Sequence, residues 1–253
     1  MYFVLNLLMS LSQKIDNYLK NNGFDKFTPK VVLFDMDGVL YNSMPNHAIC
    51  WKEAMAEYGM DMPKSATYKY EGMRGVETIQ LVAKQQLGKI VSDADAQAMY
   101  DEKTRLFGLL PEAPIMEGVK PLMAKIKASG VRIGVVTGSG QRPLIQRLLD
   151  DFKDFVDEHD IVTAYDVKHG KPSPEPYLMG LKKAGIEHPW EGIVVENAPL
   201  GVRAGVAAKI FTVAVNSGPL PDEALAKEGA NIVLSKMTEL CDLWNDFYEI
   251  ALE

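Results

Sequence analysis

The sequence predicts an α/β fold, a Rossmann-like doubly wound parallel sheet with an inserted helical domain. Three observations predict it. Four short apolar runs each close on small or polar residues, helical stretches separate them, and one long segment has helical periodicity with no strand-like run.

Ser10 to Asn21 reads as a helix, with Leu11, Ile15 and Leu19 at fourfold spacing, and the following NNGFDKFTPK reads as a loop. VVLFDMDGVL, Val31 to Leu40, is a continuous apolar run ending in acids and glycine, as in a strand buried on both faces of a parallel sheet. VRIGVVTGSG, Val131 to Gly140, closes on Thr137, Gly138 and Ser139; GIVVENAPLG, Gly192 to Gly201, closes on Glu196 and Asn197; KIFTVAVNSG, Lys209 to Gly218, closes on Asn216 and Gly218. Helices are expected at 118–129, 143–149, 174–184 and 201–208. Alternation of this kind gives right-handed crossovers, and ligands in such sheets bind beyond the carboxyl ends of the strands. All those polar clusters fall there.

Asn46 to Pro114 breaks the alternation, with helical periodicity over His47 to Tyr58, Gly75 to Leu87 and Asp93 to Leu109, and prolines 45, 111 and 114 at its edges. The expected division is an α/β core of residues 24–45 and 115–253, a helical domain of residues 46–114, and an N-terminal helical extension of residues 1–23. Met55, Met60, Met62, Tyr68 and Tyr70 are expected in the core of the helical domain or on its closing face. Trp244 to Leu252 reads as a terminal helix docked on the sheet.

A chain of 253 residues has room for such a core and insert. Lys and Arg total 27 against 34 for Asp and Glu, so a net charge of −7 leaves no basic surplus for a nucleic acid backbone. Cys50 and Cys241 are far apart and in no zinc-type spacing, which fits a reducing cytoplasm. The apolar start MYFVLNLLMSLSQ has no basic residue ahead of its run and falls short of the roughly 20 apolar residues of a membrane span, so neither a secretory signal nor a membrane partner is expected. An upstream start codon, with Met9 as the alternative, or a frayed helix accounts for it; which Met begins translation stays open.

Asp35 and Asp37 stand two apart at the end of the first strand, before Gly38. An extended strand would put both on one face, but where the chain curls they can take different tasks, and two close anions in a partly buried place call for a cation or a shared proton. A solvated turn is the plainer use of such a pair.

DMDGVL, VVTGSG, KHGKPSPEPY and VVENAPLGVRAG, in this order, resemble the four motifs of the haloacid dehalogenase superfamily of phosphotransferases, and the resemblance runs from Lys30 to Glu239. The helical insert after the first motif is similar to the small cap of the β-phosphoglucomutase-like branch. The resemblance implies Asp35 as the nucleophile that forms an aspartyl-phosphate, and Asp37 as the general acid and then base. It implies Thr137 as a hydroxyl donor to a phosphoryl oxygen, although a strand-end Thr also caps helices. Because the motif sets lysine directly before proline, Lys171 rather than Lys168 is the expected partner of the nucleophile and phosphoryl charge, leaving Lys168 and His169 as solvated loop residues. Magnesium is the implied cofactor, held by the Asp35 carboxylate and the Asp37 carbonyl. The resemblance implies Glu-Asp in the fourth motif of many relatives where this chain has Glu196-Asn197, so the third ligand is Asn197 or Glu196, with one charge fewer.

Substrate contacts are expected from Gly138 and Ser139 and from the insert. His47 falls where a mutase-like relative couples cap closure to the acid–base step, or else lies unpartnered on a helix. Arg74, flanked by Gly72 and Gly75, could grip a phosphate or sugar, or pair at the surface; Lys103 is either a second grip or solvated. These residues imply a magnesium-dependent phosphatase of a small phosphorylated sugar or polyol, monomeric and cytoplasmic. The alternative is β-phosphoglucomutase, and an inorganic pyrophosphatase or a non-catalytic binder of phosphometabolites is compatible with the same motifs.

Overall fold

The computed structural model describes residues 2–253, with side chains from Leu11 onward. Met1 and the side chains through Ser10, on which the start-codon reading and part of the N-terminal extension fall, lie outside the described residues. Six parallel strands form one sheet in the order β3-β2-β1-β4-β5-β6: β1 Val31–Phe34, β2 Arg132–Val136, β3 Ile161–Val162, β4 Gly192–Glu196, β5 Phe211–Val215 and β6 Ile232–Leu234. The predicted parallel α/β sheet is therefore present, with two strands the sequence did not announce. β3 and β6 are two and three residues long, too short to register as apolar runs.

Strand periodicity sorts the two faces. Val32 and Phe34 point to a core shared with α1 (Tyr2–Asn22), α6 (Val119–Ala128) and α11 (Met237–Ala251). Val31 and Leu33 point to the opposite core, under α8 (Glu175–Lys183) and α9 (Pro199–Ala207). α7 (Arg142–Asp151) and the short α10 (Asp222–Ala226) complete the cover. α11 starts well before the predicted Trp244, which is almost fully buried and donates its indole N–H to Ser129 Oγ at 3.0 Å. Burying such a ring stabilises the fold by about 1.5–3 kcal/mol. α1 is anchored by Tyr18, whose hydroxyl donates to the Lys209 carbonyl at 2.9 Å and whose ring meets Phe27 and Phe211 edge-on.

Between β1 and α6 lie α2 (Met44–Glu57), α3 (Lys64–Tyr70), α4 (Gly75–Leu87) and α5 (Asp93–Phe107). They share an apolar core of their own, including Met55, Met60, Met62, Ile79 and Met99. α2 begins ahead of the predicted His47, because Pro45 sits in its first turn, where a missing N–H costs nothing. Among the described residues no helix is long and apolar enough to cross a membrane.

The chain order reverses across β1 and β4, leaving a crevice at their carboxyl ends. β1 stops at Phe34, yet the Asp35 amide still donates to the Val195 carbonyl at 3.0 Å. The chain then curls, with Leu40 and Tyr41 both donating to the Met36 carbonyl. Gly38 makes the curl possible: its φ of 82° is left-handed, and a Cβ there would come within 2.0 Å of Asn197 Nδ2.

Candidate active site

A chamber of about 70 Å³ opens at that crevice, walled by the strand ends on one side and by α2–α5 on the other. Asp35, Asp37, Thr137, Gly138, Ser139, His47, Lys103 and Glu71 all line it. The curl after β1 separates the two aspartates. Asp35 faces Lys171, whose Nζ donates to Asp35 Oδ1 at 2.5 Å, to Glu196 Oε1 at 2.6 Å and to the Val136 carbonyl at 3.1 Å. Asp37 faces α2: Ser43 Oγ donates to its Oδ1 at 2.6 Å, and His47 Nε2 stands 3.1 Å from the same oxygen, close but off the line of a hydrogen bond.

Behind His47 is Lys103, with Nζ 2.8 Å from His47 Nδ1. An ammonium only donates, so Nδ1 accepts and the imidazole proton sits on Nε2, toward Asp37. Lys103 is 2% exposed, not solvated, and lies over the rings of Trp51, Tyr100 and Phe107 at 5.0–5.7 Å. Burial brings it down to about 8 against the opposing pull of Asp37. Burial, then the Lys103 charge, hold the His47 pKa below its usual range, against the pull of Asp37. Burial pushes Asp37 upward, but His47, Ser43 and Lys103 outweigh it and hold the carboxyl at about 2.

On the other side burial wins. It lifts Asp35 to about 7 against the pull of Lys171, with Glu196 and Asp37 adding to the rise. Burial opposes the Lys171 charge, yet Asp35 and Glu196 overrule it and raise its pKa. Lys168 and His169 are exposed, and the Glu175 carboxylate accepts their backbone amides at 2.7 and 3.0 Å.

Two expectations change. Glu196 has no oxygen to spare: Oε1 accepts from Lys171 and, at 2.6 Å, from the Tyr177 hydroxyl, while Oε2 accepts the Asn197 and Ala198 amides. Gly201 leaves it room, since a Cβ there would meet Oε1 at 1.8 Å. Arg74 does not enter the chamber; its Nη1 donates to the Lys168 carbonyl at 3.1 Å, because its backbone lies at the start of α4 with the side chain directed across Gly170.

Two residues escaped sequence reasoning. Tyr177 stood in the quoted KHGKPSPEPY but carried no signal apart from core packing; it is fully buried. Glu71, from the loop between α3 and α4, reaches the fourth motif, and Asn197 Nδ2 donates to its two carboxylate oxygens at 3.3 and 3.4 Å. Burial, then Asp35, Glu196 and Asp37, raise Glu71 well above the usual range. A lone acid in a loop with no partner at fixed spacing offers nothing to read.

Among the described residues no three His, Cys, Asp or Glu side chains form a ready metal cage. The set here is mixed, and its unsatisfied atoms fit a hard cation: Asp35 Oδ2 and Asn197 Oδ1 are buried without a partner, Asp35 and Glu196 share Lys171, and Glu71 lies close enough to feel Asp35, Glu196 and Asp37. Without a cation the folded state therefore favours protonated Asp35 and Glu71. A carboxyl whose folded pKa is raised stabilises the fold below its unfolded value and loses that contribution as pH rises through the folded one. Metal-stripped protein is thus expected to lose stability between about pH 4 and 7, set by the shift of Asp35 from 3.8 to about 7. Asp37, held low, loses its contribution only as pH falls through about 2 and does not compete. Urea midpoints in a chelator at pH 5 and pH 8 check this, and a higher midpoint at pH 8 would refute it.

Fold and site together give a doubly wound α/β core with a buried carboxylate, held by a lysine, directly after the first strand. The chain belongs to the haloacid dehalogenase-like hydrolase family, whose model matches residues 29–209. It is 32% identical over 194 residues to hexitol phosphatase A of Escherichia coli, covering 74% of this chain and 83% of the relative. It is 29% identical to validoxylamine A 7'-phosphate phosphatase of Streptomyces hygroscopicus, covering 83% and 95%. Among solved structures, "Putative beta-phosphoglucomutase from Bacteroides vulgatus" is 44% identical with a TM-score of 0.92, covering 97% of this chain and 99% of that one. The chain is an enzyme of the hydrolase class, and the two curated relatives just named are phosphatases.

Proposed function

We propose that the enzyme is a magnesium-dependent phosphatase of a small phosphorylated sugar or polyol, working through an aspartyl-phosphate on Asp35. The observation that carries this reading is the division of the two aspartates, Asp35 held by Lys171 and Asp37 backed by His47 and Lys103, across one chamber. Residues 46–114 act as the cap, residues 24–45 and 115–253 as the core. An Asp35 oxygen attacks phosphorus, the bond to the leaving oxygen breaks, and Asp37 gives that oxygen a proton. Asp37 is ionised in the free enzyme, so the phosphate dianion arriving beside it must raise its pKa before it can act as acid. Water then attacks the aspartyl-phosphate, its proton passes to Asp37, and phosphate leaves. Thr137, Gly138 and Ser139 line the phosphoryl end of the chamber.

The superfamily is generally magnesium-dependent. Asp35 Oδ2, Asn197 Oδ1 and Glu71, with the Asp37 carbonyl, are the residues that would hold the ion, in place of Glu196. Bound there, magnesium neutralises phosphoryl charge and favours ionised Asp35. The free, buried thiols of Cys50 and Cys241 suit a reducing cytoplasm.

Hydrolysis is preferred to mutase chemistry because a bisphosphate intermediate needs a second phosphate grip, while Arg74 points away from the chamber and the Lys103 ammonium is engaged by His47 Nδ1. One observation favours a second reading, inorganic diphosphate as substrate: a chamber of about 70 Å³ is far below the roughly 300–1,000 Å³ of ordinary small-molecule sites, so a compact leaving group fits it with the cap as placed. A panel of hexitol, hexose and triose phosphates, β-glucose 1-phosphate and diphosphate, assayed with magnesium, separates these. Phosphate release fastest from a sugar or polyol phosphate is expected; fastest release from diphosphate selects the second reading, and isomerisation of β-glucose 1-phosphate without net phosphate release overturns both.

A further inference from the structure

Arg74 sits on the same loop as Glu71, yet its side chain leaves the chamber and runs along the core. Its Nη1 donates to the Lys168 carbonyl, and its stem lies over Gly170, where a Cβ would come within 2.8 Å of Arg74 Cγ. Its other partner, Glu77 on α4, is 3.9 Å away. The receiving loop is braced from behind by the Glu175 carboxylate, and it leads directly into Lys171. Beside Arg74, Gly72 runs against Lys171 so closely that a Cβ on it would stand 2.8 Å from Lys171 Cδ. The Gly72 carbonyl also lies 3.1 Å from where a Cβ of Gly138 would be. One four-residue stretch, Glu71 to Arg74, therefore touches the loops of Asn197, Lys171 and Thr137 together.

We infer that Arg74 is a positioning residue: by clasping the Lys168 carbonyl across Gly170, it couples docking of the cap loop to the placement of the Lys171–Asp35 pair and brings Glu71 with it. The inference rests on reading α2–α5 as a cap over a phosphoryl-transfer site. A guanidinium bonded to a carbonyl, 40% exposed and with Glu77 of its own helix as a distant anion, is directed away from the chamber, and its geometry serves orientation. Glycine at 170 gives the clasp its close approach.

The test uses the full chain with magnesium and p-nitrophenyl phosphate, together with amide hydrogen exchange over residues 72–78. Arg74→Ala is expected to lower kcat about tenfold, the worth of roughly one charge-assisted hydrogen bond, with KM nearly unchanged and exchange faster. Gly170→Ala is expected to do the same by displacing the Arg74 stem. The double variant should be close to the single ones rather than additive, because Arg74→Ala removes the Cγ that the new methyl would meet at 2.8 Å and leaves the backbone N of residue 74 at 3.3 Å. A rise in KM alone that Arg74→Lys restores, with exchange unmoved and the two substitutions additive, would show a ligand grip and overturn the inference. If the wild-type enzyme releases nothing from p-nitrophenyl phosphate or from the substrate panel, the functional reading fails. Exchange then judges the clasp alone, and an Arg74→Ala protein that exchanges like wild type refutes it.

Discussion

Asp35→Asn is expected to abolish turnover, lowering kcat by at least about 10⁴-fold, and to abolish covalent-type labelling by beryllium fluoride, while the protein stays folded. The size of the loss follows from the role: removing a nucleophile removes the covalent route, and single knockouts of such groups cost about 10⁴–10⁶-fold in kcat. The amide keeps the shape of the side chain but is a poor nucleophile and cannot become an acyl phosphate by the same step. Stability should not fall with it. Burial already holds Asp35 near 7, so the fold tolerates a neutral group there, and Lys171 keeps Glu196 and the Val136 carbonyl as acceptors. Thermal unfolding in a chelator at pH 8 is therefore expected to be unchanged or raised, since an ionised carboxyl has been removed from a crowd of acids. Turnover near the wild-type rate would remove the covalent mechanism and with it the division of labour between Asp35 and Asp37.

The parts of this site that could be read from sequence are those tied to the backbone pattern. Asp35, Thr137 and Glu196 sit one residue past, one residue past and at the end of their strands, so an apolar run followed by a polar cluster locates them without knowledge of side-chain packing. Lys171 was legible through its place before Pro172. What sequence could not supply is the approach of the helical unit to the sheet, because contacts made between elements leave no period in either. Glu71 and Arg74 lie three apart in one loop, and the chain's own pattern favoured Arg74 as the residue facing the ligand. The structure reverses the pair, sending the acid to Asn197 and the guanidinium to the Lys168 carbonyl. Lys103 shows the same limit. Its neighbours in DEKTRLF are charged, so it reads as a solvated face, but three aromatic rings and His47 enclose it. The Glu196-Asn197 departure in the fourth motif was visible at once, and its consequence was not: Glu196 is spent on Lys171, Tyr177 and backbone amides, and a carboxylate from a distant loop stands where the motif lacks one.

Lys171→Met carries the second large effect, and it separates the structural use of that lysine from its catalytic one. The ammonium is 1% exposed and is the cation shared by Asp35 and Glu196, themselves 4% and 1% exposed. Removing one member of a buried ion pair leaves charge without compensation, at a cost of about 3–5 kcal/mol, which in a chain of this size lowers the melting temperature by roughly 6–20 °C. The loss must depend on pH. Without Lys171 the opposing pull on Asp35 is gone, so its folded pKa climbs further above 3.8 and the variant sheds stability as pH rises through that higher value. Near pH 5 both proteins hold Asp35 protonated and the deficit is smallest; at pH 8 it is largest. Activity is expected to fall by at least about 10²–10³-fold at every pH where the variant is folded, the usual worth of one preorganised donor at developing charge. Urea unfolding of both proteins at pH 5 and pH 8 decides the structural half: an equal deficit at the two pH values would mean that the destabilisation comes from altered packing under Gly72 and Tyr177 and not from the stranded carboxylates.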